Sequence, residues 1–399
     1  MESSVRIAEL APLWERVPPP AYGGTELVVS LLADELARRG HQVVVYASGD
    51  SETLAELRSV YPRSLRMAEV EGVIGSPAGY EWVHVANALK DHAQFDIIHN
   101  HFGLLPMAMS NVVPTPMLST LHCPFTPDAQ FVWDSYPWFY NTISCASKNG
   151  SPDRNYLGVV YNAIDVASFP YDEDKEDYLL FLSRICPEKG PVTAIQVAKM
   201  LGKKLIIAGK VDKVDKEYYH RVVEPLIDGK LIHFFGEANG EQKRELYRKA
   251  MVVLMPLDWE EPFGLVMAEA LACGTPVIAF PRGAAPEILV DGVTGYLVNG
   301  VEEMVQAVYR LDRINPKDCR RHVQEHFDVP VMADGYLAVY ERILELAEAR
   351  ARPYVRRSSW KEERWARIVE HWQYYPARYQ EEQAKGKGTA GTIGPCSAS

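Results

Sequence analysis

Glu260-Glu261-Pro262-Phe263-Gly264-Leu265-Val266-Met267-Ala268-Glu269-Ala270 sets two carboxylates, Glu261 and Glu269, on either side of a turn that runs into a helix. The apolar run Met251 to Met255 before it reads as a buried strand, and Pro262 supplies the fixed φ that suits a first helical turn. Glu261 is therefore expected at a strand-to-helix junction, with Glu269 about two turns along the helix. In a parallel sheet such junctions lie at the carboxyl ends of the strands, where ligands bind, and the unpaired N–H groups of a helix start attract anions. A phosphate could rest there with a glutamate on each side to accept hydrogen bonds from hydroxyls. The plainer reading of an isolated pair is that Glu261 meets the helix dipole while Glu269 is solvated.

Working outward, strand-like apolar runs alternate with amphipathic segments, the mark of a doubly wound α/β sheet. Strands are expected at Val5 to Leu10, Gln42 to Ala47, Asp96 to Asn100, Met117 to Leu121 and Val159 to Tyr161. A second set follows at Tyr178 to Leu182, Lys204 to Ala208, Leu231 to Phe235, Met251 to Met255, Pro276 to Phe280 and Tyr296 to Val298. Thr25 to Arg39 places Leu27, Leu31, Leu32 and Leu36 on one helical face and stops at Gly40. Two Rossmann-like halves are expected, residues 1–170 and 171–350, with the charged stretch Tyr171 to Asp177 as linker. Residues 351–384 mix arginines with Trp360, Trp365, Trp372 and tyrosines, a composition that suits either a helix packing on the first domain or weak association with a membrane surface. Residues 385–399 are small, polar and expected to be disordered.

A net charge of −11 argues against a nucleic-acid binder, which needs clustered cations, yet leaves room for a nucleotide held by one or two. Cys123, Cys145, Cys186, Cys273, Cys319 and Cys396 show no metal-like spacing and are expected as free thiols in a reducing cytoplasm. Neither a signal peptide nor a run of 18 apolar residues is read in the chain. Arg184 closes a strand and Lys189 precedes Gly190 at a helix start, so both could converge above the sheet edge. Surface placement is the common alternative for such a pair. Gly23-Gly24 suits a close backbone approach or a positive φ, and equally a plain loop turn. His122 ends a strand, where histidines are often structural; His99 is expected buried and His101 facing a cleft.

Together these stretches resemble the large retaining glycosyltransferase family 4, whose signature is E-x7-E. Ala21-Tyr22-Gly23-Gly24-Thr25-Glu26, His122, Asn162-Ala163-Ile164-Asp165, Ser183 to Gly190, and Gly283 to Glu287 followed by Asp291 to Gly295 match its further motifs in order. The resemblance implies the GT-B fold: two facing Rossmann-like doubly wound domains, acceptor on the first and donor on the second, with a C-terminal helix returning to the first. It implies that Gly23 and Gly24 contact donor phosphates and that His122 touches the donor sugar. Arg184 and Lys189 meet the diphosphate, Glu261 faces the sugar, Glu269 bonds ribose, and Phe263, Gly264 and Leu265 offer backbone amides, with Asn162 in the donor set. The catalytic group is then His122, Arg184, Lys189 and Glu261, with no cofactor and no metal ligand. Arg282-Gly283, where relatives often show Gly-Gly, and Cys123-Pro124, where many are polar, depart from the pattern. The implied reaction is hexose transfer from a nucleotide sugar, most commonly a UDP-sugar, to an acceptor hydroxyl. Trp133, Trp138 and Tyr140 could stack on the acceptor. A sugar-nucleotide epimerase and a non-catalytic nucleotide-sugar binder share the same marks, whereas no G-x-G-x-x-G supports a dehydrogenase.

Overall fold

In each half of the chain, short runs rich in Val, Ile and Leu are buried on both faces, as strands of a parallel sheet with helices on either side must be. The computed structural model describes residues 4–20, 23–123, 125–151 and 153–351. Ala21 and Tyr22 of the Gly-Gly loop, Pro124, Cys396, the expected tail, and all of the 351–384 segment beyond Ala351 lie outside the described residues.

The first sheet comprises β1 (Arg6–Leu10), β2 (Gln42–Tyr46), β3 (Glu56–Arg58), β4 (Ile97–Asn100), β5 (Met117–Leu121), β6 (Phe139–Thr142) and β7 (Tyr156–Val159). The second comprises β8 (Tyr178–Leu182), β9 (Lys204–Ala208), β10 (Ile232–Gly236), β11 (Val252–Met255), β12 (Val277–Ala279) and β13 (Gly295–Leu297). Their orders are β3-β2-β1-β4-β5-β6-β7 and β10-β9-β8-β11-β12-β13, and every pairing is parallel. Both are doubly wound Rossmann-like sheets. The order reverses at β1/β4 in one and at β8/β11 in the other, so connections leaving those neighbours diverge and open a crevice at their carboxyl ends.

Among the described residues, one compact unit holds 4–19, 23–161 and 332–351, and the other holds 20 and 162–331. The chain thus changes unit between Tyr161 and Asn162, earlier than the expected 170/171. The acidic run expected as a linker belongs to the second unit because its charges are matched there. Asp172 pairs with Arg248 and Lys249, and Lys175 Nζ donates to the carbonyls of Arg248 and Cys273 and to Thr275 Oγ1. From Met332 onward the helix Val329–Ala351 belongs to the first unit.

The helix Gly24–Arg38 buries Val28, Val29, Leu32, Ala33 and Leu36, a stripe set one residue round from the expected one, so Leu27 and Leu31 flank it. Gly23 caps its start at φ 147, and a Cβ there would come within 2.7 Å of Pro19. Glu26 in the first turn is buried. Burial, reinforced by Glu15 and opposed by backbone hydrogen bonds, lifts its carboxyl to about 7. A raised carboxyl adds stability below its unfolded value of 4.5 and loses it as pH climbs through about 7. Glu26→Gln should therefore raise the stability at pH 8 by up to about 3 kcal/mol and change little at pH 4, as urea unfolding at the two pH values would read. An equal effect at both would remove the charge-burial explanation.

Candidate active site

In the second unit the crevice at β8/β11 brings together side chains far apart in sequence. The connection after β8 turns through Pro187–Lys189, and the connection after β11 runs from Pro256 to Gly264. Asp258 N donates to Glu188 O at 2.8 Å, which ties the two loops. Lys189 Nζ is consequently ion-paired with Glu261 Oε2, and both side chains are largely buried. Trp259 holds the pair from one side: its Nε1 donates to Glu261 Oε2 at 3.1 Å and Lys189 Nζ stands 4.3 Å from its ring centroid.

Glu261 is fixed by backbone as well. The loop after β12 folds against it, with Ala284 N donating to Glu261 O at 2.8 Å and Gly283 N to Glu260 Oε2 at 2.6 Å. A Cβ on Gly283 would lie 2.2 Å from both the nitrogen and the oxygen of Glu261. Glycine at the Arg282-Gly283 departure is thus what this approach requires.

Arg184 is held by a second set of acids. Its Nη2 bonds Glu188 Oε1 at 2.5 Å, and its Nη1 lies 3.7 Å from Asp212 and 3.8 Å from Asp215. Glu188 links the two cations: despite burial, backbone and Cys186 hydrogen bonds and the charges of Arg184 and Lys189 hold its carboxyl below the ordinary range.

The helix Leu265–Ala272 starts after Gly264, which takes a left-handed φ of 86. The amides of Gly264 and Leu265 donate to no acceptor among the described residues, and unpaired N–H groups at a helix start are suited to an anion. Phe263 is buried, its ring centroid 5.7 Å from that of Phe327. Glu269 is not solvated but 2% exposed. Its Oε1 meets Lys243 Nζ at 2.5 Å and its Oε2 accepts from Tyr247 OH at 2.9 Å. A carboxylate has about four acceptor sites, so two further hydrogen bonds remain to be made. Asn162 is buried, and its Oδ1 has no hydrogen-bond partner among the described residues.

In the first unit a polar row crosses the sheet near its carboxyl edge. Glu9 of β1 is in register with His99 of β4. Thr120 Oγ1 of β5 lies 2.7 Å from His99 Nε2 and also from Asn141 Oδ1 of β6. Tyr336 and Tyr340, from the helix Val329–Ala351, cover the row: Tyr340 OH donates to Glu9 Oε1 at 3.0 Å, and Tyr336 OH is 3.2 Å from Thr120. His101 is buried rather than open to a cleft, because Nε2 meets Glu9 Oε2 and Nδ1 meets His122 Nε2, each at 2.8 Å. Glu9, His99 and His101 have donor atoms near enough to be compared with a metal site, yet each of those atoms is engaged in these hydrogen bonds. His122 is half-buried at the end of the row, and burial with the neighbouring His101 and His99 keeps it well below the usual imidazole range.

The structure thus groups Lys189, Glu261, Arg184, Glu269 and the amides of Gly264 and Leu265 in the second unit, and sets Gly23, Gly24 and His122 in the first. Gly24 is exposed at its helix start. Trp133 and Tyr140 belong to the core, their rings 4.7 Å apart, and Trp138 packs against it, which removes Trp133 and Tyr140 as stacking platforms. Glu9, Trp259, Lys243 and Tyr247 escaped the sequence reading. Glu9, a carboxylate set among the apolar residues Ile7, Ala8 and Leu10, was the one with a visible signal.

The model for Glycosyl transferases group 1 matches residues 165–322, and that for Glycosyltransferase Family 4 matches residues 22–147. The D-inositol 3-phosphate glycosyltransferase of Mycolicibacterium smegmatis is 27% identical over 90% of this chain and 96% of its own length. A glycosyltransferase involved in avilamycin A biosynthesis superposes with a TM-score of 0.64 at 25% identity, covering 86% of this chain and 98% of that one. An Anabaena protein solved in complex with UDP and glucose has a TM-score of 0.67 at 18% identity over 84% of this chain and 99% of its own, a likeness of fold.

Gly283→Ala should force the loop off Glu261 and lower the melting temperature by about 5 °C or more, since overpacking and a left-handed φ on alanine each cost on the order of 1–2 kcal/mol. Differential scanning calorimetry would read it; an unchanged transition would show that the loop does not hold Glu261.

Proposed function

We propose, since the chain belongs to glycosyltransferase family 4, that it is a retaining, metal-independent hexosyltransferase that takes a nucleoside-diphosphate sugar on its second unit and passes the sugar to an acceptor hydroxyl. The observation that supports this most is the buried Lys189–Glu261 pair at the β8/β11 reversal, beside open amides at a helix start. Before ligand arrives, the two charges satisfy one another. A diphosphate brings negative charge to the helix start and gives Lys189 a new partner, which frees Glu261 to accept from sugar hydroxyls. As the bond from the anomeric carbon to the diphosphate oxygen breaks, charge builds on that oxygen, and Lys189 with Arg184 stabilises it in place of a metal. Glu269, with acceptor capacity left, bonds the ribose. Gly23 and Gly24 give the substrate a backbone to approach, and His122 offers an imidazole to a sugar oxygen.

UDP is the first nucleotide to test, as the commonest donor base in the family and the one bound by the Anabaena protein of the same fold. No helix of the described residues is long and apolar enough to cross a membrane, and we place the enzyme in the cytoplasm. Release of nucleoside diphosphate from UDP-glucose, GDP-mannose and ADP-glucose, with and without inositol 3-phosphate and simple glycosides, tests the proposal. Glycoside product with a retained anomeric centre supports it. Sugar epimerised without acceptor would favour the epimerase, and binding without turnover of any pair would favour the non-catalytic binder.

Lys189→Ala should cut turnover by a factor of about 100 or more with the circular dichroism unchanged, and near wild-type rates would remove Lys189 from the site. Saturating EDTA should leave activity intact. Loss restored by magnesium or manganese would overturn the cation-pair mechanism.

A further inference from the structure

Glu261 carries its side-chain partners on one oxygen only. Lys189 Nζ and Trp259 Nε1 both donate to Oε2, the indole at 3.1 Å, and Oε1 accepts no hydrogen bond among the described residues. Glu269 is built differently, with Lys243 on Oε1 and Tyr247 on Oε2. The two donors on Glu261 also differ in kind. An ammonium is a compact charge on a flexible stem and turns to a stronger anion that comes within reach, whereas an indole N–H is a donor and nothing else. The backbone on either side of Trp259 is tied down as well: Asp258 N donates to Glu188 O at 2.8 Å, and Glu260 Oε2 accepts from Gly283 N at 2.6 Å. Trp259 itself is half-buried, with Lys189 Nζ 4.3 Å from its ring centroid.

We propose that Trp259 is a positioning residue for the sugar half of the donor: its N–H stays on Glu261 Oε2 when Lys189 turns to a diphosphate, and so keeps Oε1 aimed at a sugar hydroxyl. This role rests on the transferase reading given above. Without the indole N–H, Glu261 loses its second donor at the moment the first one leaves, and its carboxylate is then free to rotate or to follow Lys189. The nucleotide half of the donor is met by other groups, Glu269 at the ribose and Arg184, Lys189 and the helix-start amides at the diphosphate. Trp259 therefore separates the affinity for a sugar nucleotide from the affinity for the bare nucleoside diphosphate.

Calorimetric titration of wild type and Trp259→Phe with UDP and UDP-glucose, GDP and GDP-mannose, and ADP and ADP-glucose, all without acceptor, reads that separation. For a pair that wild type binds, Trp259→Phe should raise the Kd of the sugar nucleotide about tenfold or more, the usual effect of removing one hydrogen bond to a charged group, and leave that of the diphosphate within about threefold. In a Glu261→Gln background the same substitution should add little, because Trp259 acts through that carboxylate. Should Trp259→Phe not fold, a benzothiophene side chain at position 259, which exchanges the N–H for sulfur and keeps the ring, replaces it with the same expectations. Equal weakening of both ligands, no weakening of either, or a full effect in the Glu261→Gln background would each overturn the proposal and leave the transferase reading standing. Failure of wild type to bind any of the three pairs would overturn both.

Discussion

A carboxylate taken out of water must find partners within hydrogen-bond reach, and the site is arranged around that demand. Glu9 in β1 of the first unit, and Glu261 and Glu269 in the connection and helix after β11 of the second, are all buried. Glu261 has Lys189 and Trp259; Glu269 has Lys243 and Tyr247; Glu9 has His99, His101 and Tyr340. Each set joins connections or strands distant in sequence, so the same bonds that make burial tolerable also lock loops in place. Removing a partner from such a set leaves a charge stranded, which is why these positions should respond sharply to substitution.

The same arrangement stores capacity for a ligand. Lys189 and Glu261 neutralise one another, and in the proposed reaction a diphosphate and a sugar would replace each as the other's partner. Glu269 keeps its own cation and can still accept from hydroxyls. In the first unit the pairing is internal to the array, with His101 standing between Glu9 and His122.

Much of this was legible in the chain. The strand before the E-x7-E turn and the Lys189-Gly190 helix start fall where the sequence placed them, because their apolar runs and turn residues carry local signals. The helix of the motif starts only at Leu265, behind a left-handed Gly264, so Pro262 precedes it and Glu269 stands about one turn in rather than two. β3 and β6 were missed: β3 is a three-residue edge strand, and β6 ends in Asn141 and Thr142, buried polar residues that break the apolar pattern. The Tyr171 to Asp177 run looked like a linker because its acidic composition is visible while Arg248 and Lys249, which neutralise it, lie far along the chain. Lys243 and Tyr247 were invisible for the same reason, and Trp133 and Tyr140 read as ligand platforms although core packing claims them. What sequence could not supply was the pairing across strands, which only the sheet order creates.

The central claim is that the second unit holds a nucleotide by its ribose on Glu269. The most direct measurement is the melting temperature of wild type and Glu269→Ala with saturating UDP, GDP and ADP in turn. A ligand at about 100 times its dissociation constant adds about 2.7 kcal/mol to the folded state, worth a shift of a few degrees. The account expects UDP to shift the wild type most and Glu269→Ala much less. No shift with any nucleotide, or an equal shift in Glu269→Ala, would contradict it.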